Sequence, residues 1–194
     1  PYFHNVVDHL PRAALLAQPA VRRLGPVTVV HDTPLTPIER TLLPQLLGPN
    51  VELLEVEPGT GIVADQVLLP GYVTRPSSGA IPSWYRRWID REAASERYRS
   101  DGTRPRRRLY VDRTGTRRRV LNRAALDLVL ERHDIEPVDP LTMTIEDQIS
   151  SFRDADLIVV VTGSGLVNTI FSRSAHVIEL LPGAELLPHF YYLA

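Results

Sequence analysis

The 194-residue chain has no cysteine, and all 22 of its basic residues other than histidine are arginine. Without cysteine there are no disulfides and no thiolate metal ligands, and the redox compartment stays open. No apolar run reaches the ~20 residues needed to cross a bilayer, so no transmembrane segment is expected in this chain. A surplus of charge is missing too. The net charge of -1 offers no general attraction to nucleic acid, which is not expected as a partner, although arginines crowd between Arg104 and Arg119. The 43% hydrophobic content suffices for an ordinary core in one domain or two small ones. The chain begins without methionine and stops at the aromatic "HFYYLA", which reads as the start of a helix. An excised fragment is expected, with Phe190, Tyr191 and Tyr192 exposed.

What is present alternates between strand and helix patterns. "YFHNVVDHL" has helical spacing of Phe3, Val6, Val7 and Leu10, and Pro11 kinks or restarts that helix. Val27–Asp32 reads as a strand, followed by a helix with Thr36 as N-cap, Pro37 at its first position and Glu39 completing a capping box. Val51–Val56 and Ile62–Leu69 read as further strands, and a helix starts near Pro82. The polar, Gly- and Pro-containing stretch 99–107 reads as a linker between an N-terminal half, 1–98, and a C-terminal half, 108–194. In the second half, strands at Leu109–Asp112, Glu136–Val138, Leu157–Val161 and Val177–Leu180 alternate with helices. Asn122 and Thr144 cap the first two of these helices, and a short third runs from Gly165 to about Ser172. The alternation predicts an α/β fold with parallel sheets, and "LIVVV" without polar alternation is a strand covered on both faces.

That strand breaks at Thr162-Gly163-Ser164-Gly165, and the next apolar strand ends in Glu179. Ligands of parallel sheets bind beyond the carboxyl ends of the strands. Gly163 and Gly165 let the backbone turn sharply, and the N–H groups opening the next helix favour a phosphate. Glu179 then accepts hydrogen bonds from ribose hydroxyls; alternatively, the glycines merely close a tight turn and Glu179 is a solvated strand end. Gly163-Ser164-Gly165 with Asn168 also resembles a dinucleotide fingerprint, but the third glycine is missing and the motif does not follow the first strand. A nucleophile elbow fails because Thr162 stands where a glycine is required. Asp154-Ala155-Asp156 reads as a solvated helix end. His4 and Asp8, four residues apart, form either a surface ion pair or a catalytic pair in which one of them is the base. His9, His31, His133, His176 and His189 have no metal-ligand spacing.

Taken in order, "FHNVVDHLPR", "RLYVDRTGTRRRVLNRAAL", "MTIEDQISSFRDADLIVVVTGSGLVNTIF" and "HVIEL" resemble glycosyltransferase family 61, whose bacterial members are often labelled capsular polysaccharide biosynthesis proteins. The resemblance implies a GT-B-like fold: two Rossmann-like halves with parallel sheets, the C-terminal one doubly wound. It implies inverting, metal-independent transfer of a sugar from a nucleotide-diphosphate donor to a glycan or lipid-linked glycan, with no cofactor, in the cytoplasm at the inner face of the membrane. By position it assigns the donor to Arg113, Arg118, Asn122, Gln148, Thr162, Gly163, Ser164, Gly165, Asn168 and Glu179, and catalysis to His4 and Asp8. Thr162, Ser164 and Asp112 depart from the family's usual His, Ala and Ser. A dinucleotide-dependent oxidoreductase and a non-catalytic nucleotide-sugar-binding homologue are the alternatives.

Overall fold

Strand–helix–strand alternation produces two separate parallel sheets. A computed structural model describes residues 2–48, 51–75, 78–98, 107–112, 120–181 and 190–193. The chain divides into two units, Pro1–Ser77 and Ser78–Ala194. This boundary lies upstream of the expected linker at 99–107, because the helix beginning at Ser83 packs within the second unit.

The first unit opens with a helical run whose turns change width. It comprises α1 (Tyr2–His4), a π-helical turn (Asn5–His9), α2 (Leu10–Ala14), a 3₁₀ turn (Leu15–Ala17) and α3 (Pro19–Arg22). Pro11 explains the change: its nitrogen has no hydrogen for the Val7 carbonyl and its ring crowds that oxygen, so the helix widens before resuming. Val6, Val7 and Leu10 are completely buried, and the run packs against α4 (Pro37–Leu47), whose Ile38 and Leu42 are also buried. The expected capping box forms: the Thr36 N–H and hydroxyl both donate to Glu39 Oε2, at 2.9 and 2.7 Å. The buried Asn5 amide donates to Thr36 Oγ1 at 2.9 Å and fixes the start of α4 to the π turn. Helix α4 is the crossover between β1 (Val27–His31) and β2 (Val51–Glu55), which pair in parallel.

Ile62–Leu69 is not the expected strand. It is irregular, with Val63 101% and Leu69 88% exposed. The residues 56–61 that separate it from β2 are fewer than the dozen or so a parallel crossover requires. Arg12 anchors the chain just beyond it, donating Nε and Nη2 to the Pro70 carbonyl at 3.1 and 2.9 Å, with its guanidinium 4.5 Å from the Tyr72 ring centre.

The second unit contains α5 (Ser83–Ala93), a 3₁₀ turn (Glu96–Tyr98), β3 (Arg107–Val111), α6 (Arg123–Arg132), β4 (Glu136–Val138) and α7 (Ile145–Arg153). It continues through β5 (Ala155–Val161), a 3₁₀ segment (Ser164–Phe171) and β6 (His176–Leu180). The strands lie in the order β4-β3-β5-β6, all parallel. Side chains alternate between the two faces of a sheet, so the register puts Val111, Val160 and Glu179 on one face and Tyr110, Val159 and Ile178 on the other. Tyr110, Val159 and Leu130 of α6 form a buried cluster on the second face, with Leu126, Ile135, Leu157 and Leu180 around it. The 3₁₀ segment approaches the first face, where Gly165 faces Val111. Near the end of the chain Phe190 and Leu193 are buried while Tyr191 and Tyr192 are exposed. The expectation of three exposed aromatics therefore fails at Phe190, which turns inward with Leu193 across a single turn.

Candidate functional site

The strand order reverses between β3 and β5. The chain leaves β3 toward β4 on one side and returns to β5 on the other, so the connections diverge at the carboxyl ends of β3 and β5, the position at which open α/β sheets leave a ligand crevice. The sequence break at Thr162–Gly165 lies at this edge. Thr162 is fully buried and continues the ladder, donating its N–H to the Leu180 carbonyl at 3.1 Å. Gly163 has φ 146° and ψ -176°, a conformation essentially restricted to glycine, and it reverses the chain into the 3₁₀ segment. A Cβ at Gly165 would stand 3.2 Å from Val111 Cγ1, so the second glycine is needed for close approach to the end of β3. The two glycines have different physical reasons.

The N–H of Leu166 bonds to the Gly163 carbonyl at 2.9 Å, closing the first 3₁₀ turn. The N–H groups of Ser164 and Gly165 precede that bond and have no acceptor within the segment. Both residues are partly exposed, unlike Thr162 and Gly163 before them and Leu166 after. Two adjacent donors without a bond inside the segment, on partly exposed residues at the carboxyl edge of a parallel sheet, suit an anion.

Glu179 lies on β6, the strand next to the one that leads into the glycine turn. It pairs in register with Val160, on the face that the 3₁₀ segment approaches. Its Oε1 is buried and has no hydrogen-bond partner among the described residues. A buried, unpaired carboxylate oxygen carries a desolvation cost that a ligand hydroxyl would relieve.

Gln148 and Asn168 are brought together. Both are buried, and Asn168 Nδ2 donates to Gln148 Oε1 at 2.9 Å, while Gln148 Nε2 donates to the Pro140 carbonyl at 2.9 Å. This joins α7, through the Thr144 cap that holds its start, to the 3₁₀ segment. The pair therefore positions the glycine turn, which explains an asparagine inside a helical segment. Asn122 occupies the N-cap position of α6 but makes no side-chain capping bond, contrary to expectation. Its φ of -95° and ψ of 48° depart from the extended conformation that aims a capping oxygen at the helix. Arg113 and Arg118 lie outside the described residues.

A residue not anticipated from sequence is Arg123. It joins Asp112, at the end of β3, to Asp127 through two bonds of 2.6 Å, and its guanidinium carbon lies 5.6 Å from the centre of the Tyr110 ring. Those carboxylate hydrogen bonds raise the guanidinium pKa further, so it stays cationic. Burial, followed by the Asp112 charge, raises the Tyr110 phenol. Arg123 thus neutralises a carboxylate that would otherwise repel an anion at this edge. The available signal was an arginine in a helix's first turn, against the macrodipole, with an aspartate four residues on.

In the first unit, His4 Nδ1 lies 2.7 Å from Asp8 Oδ2. Asp8 is buried at 4% exposure while the His4 side chain is 36% exposed, and the Phe3 ring packs edge-on against the imidazole. This is not a surface ion pair. An Nδ1–H donated to a buried carboxylate leaves Nε2 as a proton acceptor. Among the described residues no group of three or more His, Asp and Glu is placed to hold a metal ion, and no helix is long and apolar enough to cross a membrane.

The family model described as glycosyltransferase 61 matches residues 2–178. No curated protein and no solved structure matches. The match spans both units and includes the His4–Asp8 pair, the glycine turn and all but the last two residues of β6. The family implies a nucleotide-sugar donor and a glycan acceptor, and the dinucleotide-dependent alternative is not favoured. The chain belongs to the glycosyltransferase 61 family.

Proposed function

We propose that this chain transfers a sugar, with inversion and without a metal, from a nucleotide-diphosphate donor to a hydroxyl of a glycan or lipid-linked glycan in cell-surface polysaccharide synthesis. The fold proposed for it is GT-B-like, with two Rossmann-like halves and a doubly wound second sheet. One observation carries it: Ser164 and Gly165, whose N–H groups precede the first 3₁₀ bond, and Glu179, whose Oε1 is buried with no partner among the described residues, follow or end the neighbouring strands β5 and β6 at the carboxyl edge where strand order reverses. That edge offers donors for a diphosphate and an acceptor for ribose hydroxyls, the two polar parts common to all such donors.

In the reaction the acceptor oxygen forms a bond to the anomeric carbon as the bond from that carbon to the phosphate oxygen breaks. The leaving diphosphate takes the electron pair, stabilised by the Ser164 and Gly165 N–H groups and by Arg113 and Arg118. The acceptor proton passes to His4 Nε2, and Asp8 holds the ring and stabilises the imidazolium. Burial of Asp8 and exposure of His4 support this division over the reverse.

A thermal-shift panel of UDP, GDP, CDP and NAD⁺, run with a chelator, tests the reading. A nucleoside diphosphate present at a hundred times its Kd should stabilise the fold by about 2.7 kcal/mol. Stabilisation that requires a divalent cation would refute the metal-free mechanism. A response to NAD⁺ alone would refute the donor class, and diphosphate binding without transfer to any acceptor would identify a non-catalytic homologue.

A further inference from the structure

The only two tryptophans in the chain, Trp84 and Trp88, lie four residues apart on α5, and Arg87 and Arg91 fall between and beyond them. At 3.6 residues per turn these four occupy one sector of about 100°. The buried residues Tyr85, Ile89 and Ala93 occupy the opposite side. Both indoles are half-exposed and both arginines exposed, and neither arginine has a carboxylate partner among the described residues. Arg86 differs: it pairs with Asp90 at 2.9 Å and donates to the Ser172 carbonyl at 2.8 Å.

The indoles are rigidly presented. Trp88 lies parallel to the buried Tyr85 ring, with 5.8 Å between centres and 8° between planes, and Trp84 meets the same ring edge-on at 5.8 Å. The helix itself is fixed, because Arg173 donates to the Asp90 carbonyl at 2.8 Å and Arg153 to the Ala93 carbonyl at 3.2 Å. Those bonds hold the C-terminal end of α5 where the chain enters β5 and β6.

We infer that this Trp–Arg–Trp–Arg face binds an acidic glycan, the indoles stacking on successive sugar rings and the guanidiniums pairing with their carboxylates or phosphates. The inference rests on the reading of the chain as a transferase with a glycan acceptor, and it adds the acceptor's charge and the helix that holds it. Fixed flat aromatic faces suit the apolar face of a pyranose, and guanidinium forks suit planar oxyanions. A bilayer surface fits less well: an interfacial helix buries a broad apolar face in lipid, whereas the aliphatic residues of α5 face the protein.

Indole fluorescence titrations with a galacturonate oligomer, a maltooligosaccharide and vesicles of equal phosphatidylcholine and phosphatidylglycerol test this. The galacturonate oligomer should bind more tightly than the neutral one. Trp88→Ala should weaken it about tenfold, and Arg87→Gln or Arg91→Gln should remove the preference for acid. Because Trp88 packs on a buried ring, the exposed Arg91→Gln variant keeps the test valid if Trp88→Ala does not fold. Binding of the vesicles with neither oligosaccharide, or oligosaccharide binding unchanged in all these variants, would overturn the inference. Each protein is also titrated with UDP and GDP by thermal shift, so loss of the donor reading is seen separately from loss of the glycan face.

Discussion

Substitution of Glu179 gives the most direct test of the crevice, because its Oε1 is buried with no partner among the described residues. Glu179→Gln keeps the shape and an acceptor oxygen while removing the charge. A hydrogen bond to a charged group contributes about 1.5–3 kcal/mol, so UDP or GDP should bind roughly 10- to 150-fold more weakly. The matching 2′,3′-dideoxynucleotides already lack the hydroxyls that this carboxylate receives, and the variant should bind them nearly as the parent does. The coupling energy between the side chain and the ribose hydroxyls, from isothermal titration of both proteins with both nucleotides, isolates that contact. Folding stability should move the other way: a neutral amide costs less to bury than an unpaired carboxylate, so the free variant should be as stable as the parent or up to about 1 kcal/mol more so. Equal weakening toward both nucleotides would refute the ribose contact, and a large loss of stability would show that Glu179 is a structural residue.

Three other substitutions follow from the geometry. His4→Gln should lower the transfer rate by about 10²–10⁴-fold, measured as nucleoside diphosphate release in the presence of acceptor, with nucleotide affinity unchanged. Asp8→Asn should lower it less, because the ring loses its orientation and not its nitrogen; a greater loss from Asp8→Asn would reverse the two roles. Gly163→Ala forces a side chain into φ 146° and should cost about 1–3 kcal/mol in chemical denaturation, together with nucleotide affinity. Asn168→Ala removes the buried hydrogen bond from its amide to Gln148 Oε1 and should cost about 1–3 kcal/mol; no change in the denaturation midpoint would show that the amide pair contributes little.

Elements with a complete local signature could be read from sequence. Thr36-Pro37 with Glu39, and Thr144 ahead of Asp147, carry their own capping chemistry, and both helices begin there. The strand of unbroken apolar residues before Gly163 lies buried between β3 and β6. Ile62–Leu69 misled because β propensity describes a strand's surface and not its partner, and too few residues separate it from β2 for a parallel neighbour. Asn122 misled for a related reason: residue type favours a cap, but the backbone entering α6 is not extended. Of the candidate residues, the turn at Gly163 and the contact between His4 and Asp8 could be read from residue type and spacing. The Gln148–Asn168 bond and the Asp112–Arg123 pair were harder to read, since each joins side chains on two different elements, and residue spacing along the chain does not show that they meet.

In the proposed site, backbone and side-chain contacts bear differently on the departures from the family pattern. The anion donors proposed for it are backbone N–H groups, set by φ at Gly163 and by clearance between Gly165 and Val111. Side chains at 162 and 164 contribute neither: Thr162 is fully buried in the strand ladder, and Ser164 presents its N–H whatever its side chain. The aspartate at 112 is a different matter, because a carboxylate at the end of β3 works against a diphosphate over any distance shorter than the Debye length of about 8 Å. Arg123 cancels it from the first turn of α6 and is itself held by Asp127. Arg123 therefore makes the Asp112 departure compatible with the proposed phosphate seat, and the pair forms one unit of that proposed site.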